Sequence, residues 1–551
     1  MASLNPLQGA LGLRRAAHLL RRTSYRYTRS KVDEMATQTA GDALTSLLTG
    51  YPLQLDQPLF ANGNSTPAPW INPPQPFNAP LPAQDFILRR YLLAWWVNEA
   101  LHDPGITHKM NFFLHQFMAV DGDSGSSMDF FDYLGLLRWG ALGNFKKLAT
   151  KMVVNNCMLS YLNNDENYVN NPNENFAREF FELFTIGRGQ PAGPGDYTNY
   201  TEDDIVQAAR VLTGYNHMQR DQYQDPETGI PSGKPFPQSH DFLTKTFSIR
   251  FGGTVIKPPT QDAAGMLAEL DAFVNMIFTQ EETARNLCRR LYHFFVRRNI
   301  VPEVETDIIG PLAQTLISQN FEIKPVLAQL LQSEHFFDMD DANPNDETIG
   351  SLIKSPLELV LQALSFLNVP IPDPVTDNDK HYNTFYNATV LERMLGQAGM
   401  NVFYPSDVAG YPGYYQDPDL NRQFFNSATI VARYKLPQML LTGTYAWGGS
   451  ANEPIGTILD VSAWVRDSGV FGDPSDAGML VQDMVRYLFP ETPDADRLNY
   501  FLNTVFLDGL PAADWNYAWQ HYLTTSDNAD VKIPLGRLLN GVMYAPEYQV
   551  F

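Results

Sequence analysis

Apolar residues recur along most of this chain at three- and four-residue intervals, the period of helices with one buried face. Residues 171–187, NPNENFAREFFELFTIG, show the pattern most densely. Phe176, Phe180, Leu183 and Phe184 fall in one helical arc, with Ala177 and Phe181 beside it. Glu174, Arg178 and Glu182 follow one another on the opposite face at i, i+4 steps, with Glu179 at its edge. Pro172 and Asn173 suit a helix start, and Gly187 suits a left-handed stop. Similar spacing predicts helices at 11–22, 29–48, 86–100, 107–120, 130–139 and 144–162. A capping box, Thr201 with Asp204, opens another, further helices run between 263 and 333, and Pro356 sits in a first turn. The tail from 479 is helical again.

Strand alternation is scarce, with one short hairpin expected between 245 and 256. The expected fold class is therefore mainly α: a multi-helical globular core with long Pro/Gly-rich loops and at most a small β-hairpin. Nine prolines in residues 52–82 rule out a helix or central strand there, so that stretch reads as an extended surface loop. The organisation that follows is N-terminal helices at 1–50 and the Pro-rich loop at 51–85. A helical core at 86–368 and a C-terminal helical region with aromatic-rich loops at 369–551 complete it. A polar loop is expected at 369–382, and an irregular aromatic one at 401–425.

Composition narrows the partners. A formal charge of −22 repels a phosphate backbone, so nucleic acid is not expected. No apolar run reaches the length of a membrane span. Residues 1–20 carry paired arginines without a following apolar stretch, so no signal peptide is expected in this chain; its compartment stays open. The two cysteines, Cys157 and Cys288, lie in apolar helical runs and read as buried thiols rather than a disulfide.

Several segments together resemble one bacterial family, the domain of unknown function 1800. They are HLLRR (18–22), KMNFFLHQF (109–117), PNENFAREFFELFTIG (172–187) and YTEDDIVQAARVLTGY from Tyr200. His240-Asp241 with Lys245-Thr246-Phe247, the ARNLCRRLYHFFV helix, IKSPLELV (353–360), LGQ (395–397) and NSATIVARY follow in family order. The resemblance implies a mainly α-helical protein but no activity. It also implies a gene neighbour of another uncharacterised family, domain of unknown function 1501, which is similar to phosphatases and sulfatases; members are often exported. The family commonly shows two histidines where this chain has His115-Gln116-Phe117, so only one is kept here.

The candidate site is a polar pocket formed by the 171–187 helix, the His115 helix and the His240-Asp241 turn. Glu174, Glu179 and Glu182 could act as general acid/base carboxylates or as hard ligands for a divalent metal. Arg178 could fork a carboxylate or sulfate, and His115 or His240, the latter beside Asp241, could carry a proton. No Glu-x-x-His or His-Glu-x-x-His pattern supports the metal version. The alternative is that Glu174, Arg178 and Glu182 form an ion-pair ladder, each pair giving about 0.2–0.5 kcal/mol to its own helix. A second function class rests on Tyr404, Tyr411, Tyr414 and Tyr415 with Asp407, Asp417 and Asp419: a surface for a polysaccharide or other polymer, or a loop pinned by its rings. An enzyme and a non-catalytic scaffold or binding protein both remain open at this point.

Overall fold

Helix Asp85–His102 has no polar face to speak of, and Leu88, Leu93, Ala94 and Val97 on its different sides are all buried. A helix apolar most of the way round belongs at the centre of a bundle. In the computed structural model it packs against Ser127–Gly140, Thr107–His115, Pro356–Phe366 and Lys380–Gly396. The structure describes residues 2–50, 57–63, 65–71, 81–340, 347–415, 420–443 and 459–551. The chain is mainly α-helical, with 23 α-helices and four two-stranded antiparallel sheets among the described residues. No described helix is long and apolar enough to cross a membrane.

The hairpin expected near 245–256 forms, with Lys245–Thr246 paired to Val255–Ile256. Three further ladders were not anticipated, among them Tyr215–Asn216 on Lys234–Pro235. Pairs of two residues are too short to show an alternation. The polar loop at 369–382 is also shorter than expected, because a π-wound helix begins at Lys380 and runs to Gly396. Its wide turns are tied by side chains reaching back five residues. Asn387 donates to Tyr382 O at 2.8 Å and Thr389 to Thr384 O at 2.8 Å. Of the Pro-rich stretch, Trp70 and Ile71 are buried, whereas residues 51–56, 64 and 72–80 lie outside the described residues.

One continuous cluster of buried apolar side chains runs from Leu7 to Tyr548. Helix Gly12–Thr23 is bound into it from both sides. Arg21 donates to Phe489 O at 3.1 Å, and Gln362 of helix Pro356–Phe366 donates to Arg21 O at 2.8 Å. Cys157 and Cys288 are both buried and free.

Candidate functional site

The acidic helix starts where its sequence signals place it. Asn173 caps it by accepting from Asn175 N at 3.0 Å, and Gly187 ends it with φ of 77°. Between these ends it is not one regular helix. Glu174–Glu179 is α, but Phe180–Phe184 widens into a π turn, closed by Thr185 Oγ1 donating to Phe180 O at 2.6 Å. Packing explains the widening: Phe180 and Phe181 meet Phe273 at 5.6 and 5.7 Å, and Phe181 stacks on Tyr200 at 5.3 Å.

The π turn rearranges the charged face. A step of four residues no longer stacks side chains once the helix is under-wound. Arg178 therefore forks Glu202 on the next helix, with Nη1–Oε1 at 2.8 Å and Nη2–Oε2 at 2.7 Å, and keeps Glu174 at 3.5 Å. Glu182 instead accepts from the Tyr200 hydroxyl at 3.1 Å, with Arg188 at 4.0 Å. The expected ladder is thus real in its first half and replaced in its second. Arg178, engaged bidentately, has little left to offer a substrate anion.

Glu179 differs from its neighbours. Burial, with Glu182 and Asp407 adding their charge against Arg178, raises its carboxyl to about 7. Tyr161 shares this environment: burial, then Asp121, Asp407 and Glu179, push its phenol up. On the same side the Tyr404 hydroxyl donates to Asp123 Oδ1 at 3.1 Å. A half-buried carboxyl poised near neutrality can both give and accept a proton.

The two histidines do not join this surface. His115 is fully buried among Phe403, Phe112, Tyr133 and Tyr411, with the Phe403 ring 4.8 Å away. Tyr133 donates to Met118 O at 2.8 Å, so the 2.8 Å contact to His115 is Nδ1–H donating to the phenol oxygen. That leaves Nε2 bare, buried and without a hydrogen bond. Burial holds this imidazole down to about 3, so it stays neutral at physiological pH and has no route to carry protons. His240 is also enclosed. Its Nδ1 meets Thr213 O at 2.8 Å and its Nε2 meets Glu269 Oε2 at 2.9 Å. Glu269 takes Lys245 Nζ at 2.7 Å on its other oxygen. Asp241 turns the other way, to Arg210 Nε at 2.7 Å. The HD…KT segment is a buried hydrogen-bond and ion-pair network that ties the hairpin to helix Ala263–Phe278.

The aromatic loop is pinned by its rings. Tyr411 is buried and donates to Asn401 O at 2.8 Å, and Tyr414 packs on Phe424 at 5.0 Å and Phe294 at 5.7 Å. These two rings are not free for stacking on a ligand. The Tyr415 side chain, Asp417 and Asp419 lie outside the described residues. Among the described residues, no group of three or more His, Cys, Asp or Glu side chains is arranged to hold a metal ion.

Sequence reasoning passed over the place where the most widely separated family-like segments meet. Lys109 of helix Thr107–His115 and Glu358 of helix Pro356–Phe366 form an ion pair with side chains 2% and 4% exposed. The ammonium lies over the rings of Tyr25, Phe294 and Phe551 at 4.9, 5.2 and 5.5 Å. Nearby, Arg22 donates to Thr348 O at 2.7 Å, and Arg433 to Lys354 O at 2.9 Å and Gln549 at 2.8 Å. A partial signal was present: Lys109 opens a run with five apolar residues among its other eight positions, Met110, Phe112, Phe113, Leu114 and Phe117, and a charge so placed points to burial with a partner. A narrow cavity of about 20 Å³ beside Glu358, Ser355 and Tyr414 has room for little more than water.

Neither the curated proteins nor the solved structures compared with the chain include a match. One family model does match, over residues 18–550, and it covers all the segments described above. The chain belongs to the family described as protein of unknown function (DUF1800).

Proposed function

We propose that this protein is an enzyme whose general acid–base is the Glu179 carboxyl, with Glu182 and Asp407 as the carboxylates that tune it. The observation that carries the reading is a single half-buried carboxyl raised to about 7 on an otherwise exposed acidic wall. The histidines are left out of the chemistry, because His115 and His240 are enclosed with their own partners. Glu174 and Arg178 support the wall through Glu202 rather than contact the substrate. Acidic surroundings favour a neutral or cationic substrate group over a phosphate or sulfate ester.

Hydrolysis of a panel of 4-nitrophenyl glycosides, esters and phosphates, followed against pH, tests the reading. At least one glycoside or ester is expected to turn over with a rate profile that bends near 7, and Glu179→Gln should slow it about 10²–10⁴-fold. A panel that is inert, or turnover that Glu179→Gln leaves unchanged, refutes the proposal.

The second reading is a non-catalytic scaffold, binding a polysaccharide or a phosphatase-like partner of the family called domain of unknown function 1501. It is favoured by the Arg178–Glu202 fork, which spends the helix's most versatile anion-binding group on internal cross-linking. Co-elution of the two purified proteins on size-exclusion chromatography, without turnover of any panel member, would select it.

A further inference from the structure

Residues of helix Gly12–Thr23 and of the last turns of helix Ala477–Leu488 line one recess, and the chain leaves the latter helix at Phe489 in extended conformation. Pro490 and Pro493 follow, and neither can extend a helix. The recess has a volume of about 360 Å³. Its floor is apolar, made by Leu13, Ala17, Val485, Phe489 and Leu498. Water held over such a floor is poorly bonded, and an apolar group that displaces it gains free energy. The size lies within the range of about 300–1,000 Å³ that small-molecule sites occupy.

The rim is polar and uneven. On one side Arg14 is paired with Glu491, so its charge is answered within the protein. Glu347 and Asp338 also stand on that side and act on Arg14 or Glu491. On the other side are Gln482 and Arg486, one turn apart on the same helix and both exposed. Arg486 makes no ion pair among the described residues. A guanidinium beside an amide at the lip of an apolar recess fits one kind of ligand: an oxygen anion on an apolar body.

We infer that the recess between helices Gly12–Thr23 and Ala477–Leu488 binds a small amphipathic carboxylate, its apolar body over Ala17, Val485 and Phe489 and its head on Arg486. None of these residues belongs to the Glu179 wall, so the site stands whether or not that wall is catalytic. The head group sets the specificity: an alkyl ammonium of the same length meets Arg486 with like charge, and an alcohol forfeits the charge-assisted bond.

Calorimetric titration of the full chain with decanoate, decylammonium and decanol, each below its aggregation threshold, is the test. Decanoate is expected to saturate a single site, about tenfold or more tighter than either comparator. Leu498→Trp, which fills the floor from its half-exposed edge, should weaken decanoate about tenfold or more. Arg486→Gln, an exposed substitution that leaves packing untouched, should weaken it about three- to tenfold and erase the preference over decanol. Absence of saturable decanoate binding, equal binding of all three amphiphiles, or binding that neither variant changes overturns the inference. So does a decanoate-insensitive dimer in sedimentation that Leu498→Trp dissociates, because the recess would then be covered by a second copy.

Discussion

Lys109 and Glu358 test most sharply what the family-like segments are for, because the pair joins two of them across 249 positions of sequence. Both side chains are almost wholly enclosed, so each charge has given up its hydration. Removing one partner leaves the other buried and unanswered, at a cost of about 3–5 kcal/mol. Removing both avoids that cost. Lys109→Met keeps a long flexible chain inside the cage of Tyr25, Phe294 and Phe551. Glu358→Gln keeps the capping box with Ser355, where glutamine also serves at the third helical position. The expectation is a loss of about 3–5 kcal/mol for each single variant, and a double variant that falls short of their sum by about 2 kcal/mol or more. Urea unfolding followed by tryptophan fluorescence, fitted with one common slope, measures all four corners of the cycle. A double variant lying at the sum of the singles would show that the charges do not depend on each other. The pH arm has a definite sign. Burial pushes the Glu358 carboxyl up, but Lys109 and Ser355 outweigh it and hold it below its ordinary value of 4.5. A depressed carboxyl contributes stability that is complete above the unfolded value and disappears as pH falls through the folded one. The advantage of the wild type over Glu358→Gln should therefore persist at neutrality and shrink only below pH 4.5.

Glu179 carries the opposite sign. Its folded value of about 7 lies above the ordinary 4.5, so the folded state loses stability as pH rises through that window. Glu179→Gln should accordingly be more stable than wild type at pH 8 by about 1–2 kcal/mol, after discounting for partial exposure, and equal to it at pH 4. Thermal melts at the two pH values decide this, and an unchanged difference refutes it. Arg178→Lys loses the fork to Glu202 but not the charge, and should cost about 0.5–1 kcal/mol in the same urea assay. His115→Phe gives up one hydrogen bond and removes the unbonded Nε2, so its stability should stay within about 1 kcal/mol of wild type. Its pH–rate profile should also be unmoved, and a bend lost in that variant would restore His115 as a proton carrier.

The parts of this protein that were legible in sequence are those written locally. Asn173 and Gly187 mark the ends of the acidic helix within a residue or two of the backbone they act on, and Thr201 with Asp204 closes the capping box it signals. The π turn between Asn173 and Gly187 was not legible, because Phe273 and Tyr200, which hold it open, come from other elements. The same distance hid the partners. Arg178 pairs with Glu202 across 24 positions and His240 with Glu269 across 29, and nothing in either local pattern names those carboxylates. The poise of Glu179 comes first from its burial and then from Glu182, with a smaller part from Asp407, brought to it by a loop that holds buried Tyr411 and Phe403. Helical periodicity states which face is buried, and it is silent about what the other face will meet.

A sorting of charge explains why the polar wall, rather than the basic segments, is the place to look for chemistry. The arginines of the HLLRR and NSATIVARY segments turn inward, mostly onto backbone carbonyl oxygen. Arg433 gives Nη1 to Phe424 O at 3.0 Å, Nη2 to Lys354 O at 2.9 Å and Nε to Gln549 at 2.8 Å. Arg21 reaches Phe489 O and the Tyr487 carbonyl, and Arg22 reaches Thr348 O. The Arg433 guanidinium cross-links three chain segments with a rigid planar fork, which lysine could not do, and is buried away from any substrate. Carbonyl acceptors carry no net charge, so these interior cations leave the acidic excess of the chain on its surface. There burial of a single carboxyl among like charges is enough to bring it to the proton-transfer range, as it does for Glu179.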